Sequence, residues 1–136
     1  MDFLSQPIKH LLPHRDEMVL IHGFVERGDS WLIAAVDLAR PNLYSTEHGI
    51  PSYVALEYMA QTISAYAGSQ NATKQLPPQI GFLLGTRQLD CLATYLPTAG
   101  IALVRVDAVF AEEAAVSLFE CSLYLPDSPS PALARA

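Results

Sequence analysis

The 136-residue chain is long enough for one domain, and half of it is hydrophobic (51%), which is sufficient for a substantial core. Only 16% of the residues are charged, below the usual quarter, and this hints that another subunit covers part of the surface. The net charge of −6 argues against nucleic-acid binding, because such proteins need basic patches to neutralise phosphates.

The sequence gives no support for a secreted protein, a membrane-spanning protein or a cysteine metal site. Residues 1–10 contain no apolar signal core, and no run approaches the roughly 18 apolar residues of a membrane span. Cys91 and Cys121 lie far apart without the spacing of metal ligands. We therefore expect a cytoplasmic protein whose two cysteines are reduced core thiols.

The first third of the chain predicts a β-hairpin. Strand-like runs cover residues 17–26 and 31–38, and a turn signal at 27–30 separates them. Residues 39–51 then form a long irregular connection, and long ordered loops are often functional.

The clearest helix is predicted at residues 52–67. Ser52 is a plausible N-cap after Pro51, and Gly68 fits a C-terminal stop. Because the sequence is apolar nearly all round, this helix should be buried.

Three strand-like runs follow, at residues 80–96, 101–110 and 115–125. Short turns favour an antiparallel sheet, so the order predicts an α+β architecture with one long helix against a curved sheet. The hot-dog fold is one such arrangement. We predict a single domain over 1–126, and a poorly ordered tail over 127–136, where prolines and small residues dominate.

A narrow line of polar side chains runs along the otherwise apolar helix. It consists of Glu57, Gln61 and Ser64, which lie on one face at helical spacing. A satisfied internal network or a polar seam at a subunit contact is the structural interpretation of this line. The functional interpretation makes Glu57 a general acid whose protonated form is favoured by burial.

A histidine in the preceding loop provides a second acid–base group. His48, by itself, is interpreted as a surface histidine, but with Glu57 it could flank one small cavity and share general acid–base work. The backbone N–H groups of Ser52 and Tyr53 at the helix start could hold a thioester carbonyl as it gains charge. Base, acid and oxyanion donor are the groups that β-elimination beside a thioester requires.

Two glycines in the sequence GFLLG, Gly81 and Gly85, are too few for a phosphate-binding loop. They predict close packing of the backbone against the helix or a substrate.

Four short motifs occur in order between residues 11 and 125: LPHR at 12–15 with MVLI at 18–21, PSxxxxExxAQ at 51–61, GFLLG at 81–85, and LPTAG at 96–100. In this register they resemble the 3-hydroxyacyl-[acyl carrier protein] dehydratases. The pattern is similar to the divergent branch that serves aryl polyene and other specialised fatty-acid pathways.

The resemblance implies a hot-dog dimer in which a histidine and a glutamate from different subunits dehydrate the substrate. Here those residues are His48 and Glu57, while Ser52, Tyr53, Gln61 and Gly85 are implied to contact or orient the substrate. The acyl chain would be carried on acyl carrier protein or CoA, and no metal or redox cofactor is expected. The loop around His48 reads EHGIP, which is shorter than the family's pattern.

Three hypotheses follow for the function. The leading one is a (3R)-hydroxyacyl thioester dehydratase, acting as a homodimer or as a hetero-dimer with another hot-dog protein. The second is a hot-dog thioesterase in which Glu57 activates water. The third, motivated by the altered loop around His48, is a catalytically inactive subunit that stabilises an active relative.

Overall fold

The structure, a computed structural model, describes residues 2–14, 16–73, 86, 88–111 and 117–136. These residues contain one α-helix, α1, at Ala55–Thr73, preceded by a 3₁₀ helix at Ser52–Val54. Two further 3₁₀ helices, also of three residues each, lie at Lys9–Leu11 and Asp16–Met18. Six strands are present in this part of the chain: β1 Gly23–Arg27, β2 Trp31–Asp37, β3 Asp90–Cys91, β4 Ile101–Ala111, β5 Ser117–Tyr124 and β6 Ala134–Arg135.

The strands form one sheet in the order β1-β2-β4-β5-β6-β3, and every pairing is antiparallel. Because side chains alternate along a strand, one face of the sheet collects the apolar residues that pack against α1. On the central strands these residues are Leu32, Ala34, Val36, Ala102, Val104 and Val106. The predicted hairpin and the α+β arrangement of one long helix on an antiparallel sheet are confirmed.

One irregularity interrupts the alternation predicted for the strand at 101–110. Ala108 pairs with Phe119 but Phe110 pairs with Leu118, so β4 carries an extra residue at this point. That residue, Val109, is exposed. A bulge of this kind kinks a strand and re-aims its side chains, and the apolar pattern gave no sign of it.

The helix begins later and ends later than the sequence predicts. Pro51 is the N-cap of the 3₁₀ helix and makes no side-chain capping bond, so the prediction of Ser52 as N-cap is wrong. Gly68 lies inside α1 rather than after it. A Cβ at Gly68 would approach the Leu11 carbonyl oxygen to 2.1 Å, so this glycine allows the backbone at Leu11 to pack directly on the helix. No helix in the described residues has both the length and the hydropathy needed to cross a membrane.

The C-terminal residues differ from the prediction of a poorly ordered tail over 127–136. Leu133 and Ala134 are buried, and β6 pairs with both β5 and β3. The Cys121 and Ala136 backbones exchange two hydrogen bonds, of 2.9 and 3.0 Å. The composition suggested disorder. However, β5 and β3 each present an edge with backbone hydrogen-bonding groups, and residues 133–136 lie between these edges and pair with them.

Of the strand predicted at residues 80–96, 80–85 and 87 lie outside the described residues, and among the others only Asp90–Cys91 form a strand, so the prediction is wrong for most of the part that is described. Asp90 and Cys91 form β3 at the edge of the sheet, and Cys91 is exposed, so the prediction of a core thiol is wrong for this residue. Cys121 is a buried thiol as predicted, and burial raises its pKa to about 12.

We predict that Leu133→Ala lowers the free energy of unfolding by about 2 kcal/mol, because it removes a buried side chain that holds β6 in the sheet. Leu118→Ala is the matched control, since Leu118 is exposed on β5 and its loss should cost less than about 0.5 kcal/mol. Urea denaturation of both variants measures the difference. Equal stability of the two variants would show that the tail does not contribute to the fold.

Candidate functional site

His48 lies at the tip of a tight turn. Thr46 and Gly49 exchange two backbone hydrogen bonds, of 2.9 and 3.1 Å, which leaves Glu47 and His48 as the two turn residues. Gly49 has a φ of +109°, a conformation that glycine adopts without strain. The Thr46 hydroxyl donates to the Gly49 carbonyl at 2.8 Å and accepts the His48 N–H at 3.1 Å. The connection predicted to be irregular is therefore locally well ordered around His48.

The segment between this turn and α1 is attached to residues 94–96. The Ser52 N–H donates to the Thr94 carbonyl, and the Leu96 N–H donates to the Ile50 carbonyl, both at 2.9 Å. Pro51 and Tyr95 form the β-bridge between these two bonds. This short ladder brings together two stretches that are more than forty residues apart in the chain.

Tyr95 is the neighbour of His48 that the sequence did not indicate. The two rings are tilted by 55°, with 5.9 Å between their centroids. The LPTAG motif begins one residue after Tyr95, so it marked the region but not this side chain. The contact depends on the ladder, which only the tertiary structure reveals.

The His48 side chain points into solvent and is 65% exposed. Its Nε2 lies 3.2 Å from a carboxylate oxygen of the neighbouring Glu47. No hydrogen bond or ion pair joins His48 to Glu57 among the residues that the structure describes. Within one chain the two predicted catalytic groups therefore do not make direct contact.

Glu57 is half-buried in the first turn of α1. Its carboxylate is 3.5 Å from the Gln61 side-chain nitrogen, at the weak limit of a hydrogen bond. In the part of the chain that the structure describes, this weak contact is the one hydrogen bond of the Glu57 carboxylate.

Gln61 is 1% exposed and binds the backbone of the N-terminal segment. Its Oε1 accepts the Leu20 N–H at 2.8 Å, and its Nε2 donates to the Met18 carbonyl at 2.7 Å. These two bonds are shorter than the one to Glu57, so the main role of Gln61 is to fasten residues 18–20 to the helix. It contacts Glu57 as predicted, but its amide is already occupied by the chain itself.

The remaining predicted residues have different outcomes. The Ser52 N–H is bonded to Thr94, so it is not available to a substrate, and of the predicted pair of donors only the Tyr53 N–H is left. The Ser64 hydroxyl is buried and finds no hydrogen-bond partner within the described residues, so the polar line is not a fully satisfied network. Gly85 lies outside the described residues.

A different histidine has a structural role. His22 Nδ1 accepts the Asp37 N–H at 3.0 Å, so Nδ1 carries no proton and the ring is uncharged. Burial lowers the pKa of His22, Arg40 lowers it further, and Asp37 acts in the opposite direction.

No three His, Cys, Asp or Glu side chains gather closely enough to hold a metal ion in the part of the chain that the structure describes.

Large apolar side chains remain exposed beside the His48 turn. Tyr53, Leu92 and Tyr95 are exposed, and each lies in the ladder or within two residues of it along the chain; we call these three residues the β3 patch. β3, which has two residues, is an edge strand of the sheet that the described residues form. Exposed apolar residues beside a sheet edge are typical of a surface that a second subunit covers.

Comparison with known families assigns the chain to one of them. The family model described as ApeP-like, ApeP dehydratase, matches residues 6–136. The chain belongs to the ApeP-like dehydratase family. A comparison with curated proteins found no match.

Two solved structures are similar to this family member. One is the dehydratase heterocomplex ApeI:P from Xenorhabdus doucetiae, with a TM-score of 0.85 and 21% identity, covering 96% of this chain and 87% of that chain. The other is a putative thioesterase from Shewanella oneidensis, with a TM-score of 0.54 and 16% identity, covering 83% of this chain and 76% of that chain. The hot-dog fold and the resemblance to a divergent dehydratase branch are confirmed, and the family supports a dehydratase role.

We predict that Gln61→Leu lowers the free energy of unfolding by about 2–4 kcal/mol, because it leaves the Leu20 N–H and the Met18 carbonyl without their partner. Gln70→Leu is the matched control, since the Gln70 amide donates to the Asp29 carbonyl at an exposed site. Its cost should stay below about 1 kcal/mol in the same denaturation experiment. Similar losses from both variants would contradict the anchoring role of Gln61.

We also predict that stability falls as the pH drops below the ordinary histidine pKa of 6.5, because the unfolded chain protonates His22 more readily than the folded chain does. The stabilisation is fully present above this value and is lost as the pH falls towards the lowered pKa. In His22→Asn, Oδ1 replaces Nδ1 as acceptor and does not titrate. Melting temperatures at pH of about 7.5 and about 5.5 should therefore differ less in His22→Asn than in the wild type or in the exposed control His10→Asn. An unchanged pH dependence in His22→Asn would exclude this histidine as its source.

Proposed function

We propose that the chain is a subunit of a dehydratase that converts a (3R)-3-hydroxyacyl thioester into the trans-2-enoyl thioester, with the acyl chain carried by acyl carrier protein or CoA. Membership of the dehydratase family supports the reaction class. The observation that carries the assignment of residues is the arrangement of His48 and Glu57. One is exposed on a rigid turn and the other lies at the start of the helix, and they are unconnected within a single chain.

The proposed reaction needs one base and one acid. Neutral His48 removes the proton from the carbon next to the thioester carbonyl, and the electron pair moves to form the double bond. Protonated Glu57 donates to the departing hydroxyl group, so the C–O bond breaks and water leaves. The Tyr53 N–H at the helix start would stabilise the charge that develops on the carbonyl oxygen.

We further propose that the two groups meet across a subunit interface. An exposed His48 beside the β3 patch is suited to reach into a neighbouring subunit, where it would face that subunit's Glu57. The similar structure from Xenorhabdus doucetiae is a heterocomplex of dehydratases, so the neighbour is proposed to be a second hot-dog protein or a second copy of this chain.

A role as a non-catalytic partner is the second candidate, favoured by the shorter loop around His48 and by the heterocomplex described for the relative. The likeness to a putative thioesterase extends to the fold alone, so thioester hydrolysis stays a hypothesis.

We predict that His48→Ala and Glu57→Gln each lower the rate of hydration of a 2-enoyl thioester by about 10²- to 10⁴-fold, the usual effect of removing a general acid or base. His10→Ala and Glu120→Gln, which are exposed and lie elsewhere, serve as matched controls with wild-type rates. Wild-type activity in both His48→Ala and Glu57→Gln would reject the assignment. Release of free thiol without an enoyl product would instead identify a thioesterase.

Mixing the two inactive variants tests where the groups come from. If the active species is a homodimer with sites shared between subunits, half of the mixed population pairs unlike variants, and each such dimer has one intact site. Roughly a quarter of the wild-type activity should then return. No recovery would place both groups in one subunit. An inert homodimer, together with an active complex with a second hot-dog protein that tolerates His48→Ala, would establish the non-catalytic role.

A further inference from the structure

We propose that Thr46 and Tyr95 are positioning residues for His48: Thr46 holds the backbone of the turn that presents it, and Tyr95 holds its ring. This inference rests on the proposed function, because orientation of the imidazole matters for the reaction only if His48 is the base. It adds two residues that do not touch the reacting atoms but decide where the base points.

The Thr46 hydroxyl organises the turn from within. It joins the His48 N–H to the Gly49 carbonyl, with bonds of 3.1 and 2.8 Å, in addition to the two backbone bonds between Thr46 and Gly49. In a turn closed only by its backbone pair the His48 peptide would be held less firmly, because its N–H finds no other acceptor within the described residues. The hydroxyl therefore removes backbone freedom at the residue whose side chain must be aimed.

Tyr95 acts on the ring rather than on the backbone. A histidine that is 65% exposed would ordinarily move among several rotamers. The Tyr95 ring lies at 5.9 Å with a 55° tilt, within the range that aromatic pairs prefer. Its own backbone is held at the centre of the ladder, opposite Pro51. Tyr95 is thus anchored at its backbone and offers an aromatic surface against which the imidazole can rest.

The other neighbour of the ring is a weaker guide. Glu47 faces His48 Nε2 at 3.2 Å, but both side chains are exposed, and exposed pairs of this kind contribute little. An ion pair with Glu47 also requires a protonated imidazole, whereas a base must be neutral; the neutral ring keeps at most an Nε2–H hydrogen bond to this exposed carboxylate. The aromatic contact is present in either protonation state, so we assign the orientation of the ring to Tyr95.

The test of Tyr95 compares two substitutions. Tyr95→Leu removes the aromatic surface, and we expect kcat to fall by about 10- to 100-fold with little change in KM, since misplacement of a reacting group by about 1 Å has effects of this size. Tyr95→Phe keeps the ring and should restore most of the lost rate. Tyr44→Leu is the matched control, because Tyr44 is similarly exposed (42%, against 38% for Tyr95) and makes no ring contact with His48.

A structural readout does not depend on activity. The chain has four histidines, so the ring protons of His48 can be assigned in the NMR spectrum by comparison with His48→Ala. Tyr95→Leu should remove the ring-current shift of these protons, and Tyr95→Phe and Tyr44→Leu should retain it. If Tyr95→Leu leaves both the shift and kcat unchanged, the role of Tyr95 is refuted.

Thr46 is tested by the pair Thr46→Val and Thr46→Ser. Valine keeps the shape but lacks the hydroxyl, so kcat should fall by about tenfold, which corresponds to about 1.4 kcal/mol in the activation free energy. Serine retains the hydroxyl and should recover the rate. Backbone amide exchange at His48 should be faster in Thr46→Val only, and equal exchange in both variants would overturn the role of Thr46.

These experiments separate the inference from the function on which it rests. If His48→Ala is fully active, the proposed function fails, while the NMR and exchange measurements still report whether Thr46 and Tyr95 hold the residue. If His48→Ala is inactive but Thr46→Val and Tyr95→Leu keep the wild-type kcat, the positioning role fails and the catalytic assignment survives.

Discussion

The candidate site depends on a short backbone ladder. Two hydrogen bonds of 2.9 Å, from Ser52 to Thr94 and from Leu96 to Ile50, hold the segment before α1 against the segment after β3. The same ladder sets the position of the His48 turn on one side and of the helix start on the other. Since Glu57 lies in the first turn of α1, any shift in the ladder would move the two groups of the proposed reaction together.

A second constraint fixes the helix itself. Gln61 joins α1 to the backbone at Met18 and Leu20, and the absence of a side chain at Gly68 allows Leu11 to pack on the helix about two turns further on. Both contacts involve residues 11–20, so this N-terminal segment is packed against α1 and helps to hold the helix in place. A buried amide can serve in this way because both of its ends are satisfied by backbone groups.

Exposed groups gather near the candidate site. His48 is 65% exposed, and the three apolar residues of the β3 patch are exposed as well. Exposed apolar side chains of this kind are typical of a surface that a second subunit covers. The proposed reaction accordingly sets His48 opposite the Glu57 of a neighbouring subunit.

The sequence alone was sufficient for the architecture. Strand-like runs and a turn signal indicated the hairpin, a stretch that is apolar nearly all round indicated the long buried helix, and alternating apolar residues indicated later strands. Four motifs in register were enough to indicate the family, and the spacing of Glu57 and Gln61 placed them on one helical face.

Other features were decided only by tertiary contacts. Gly68 looked like a helix stop until the approach of Leu11 gave it another role, and the tail looked disordered until β5 and β3 supplied edges for β6. The partnership of His48 with Tyr95 has no local signal, since it arises from pairing between distant segments. The local pattern of apolar residues indicates which face of a helix or strand is buried. Which residues from distant segments then come into contact depends on long-range pairing, and this pairing leaves no periodic pattern in the sequence.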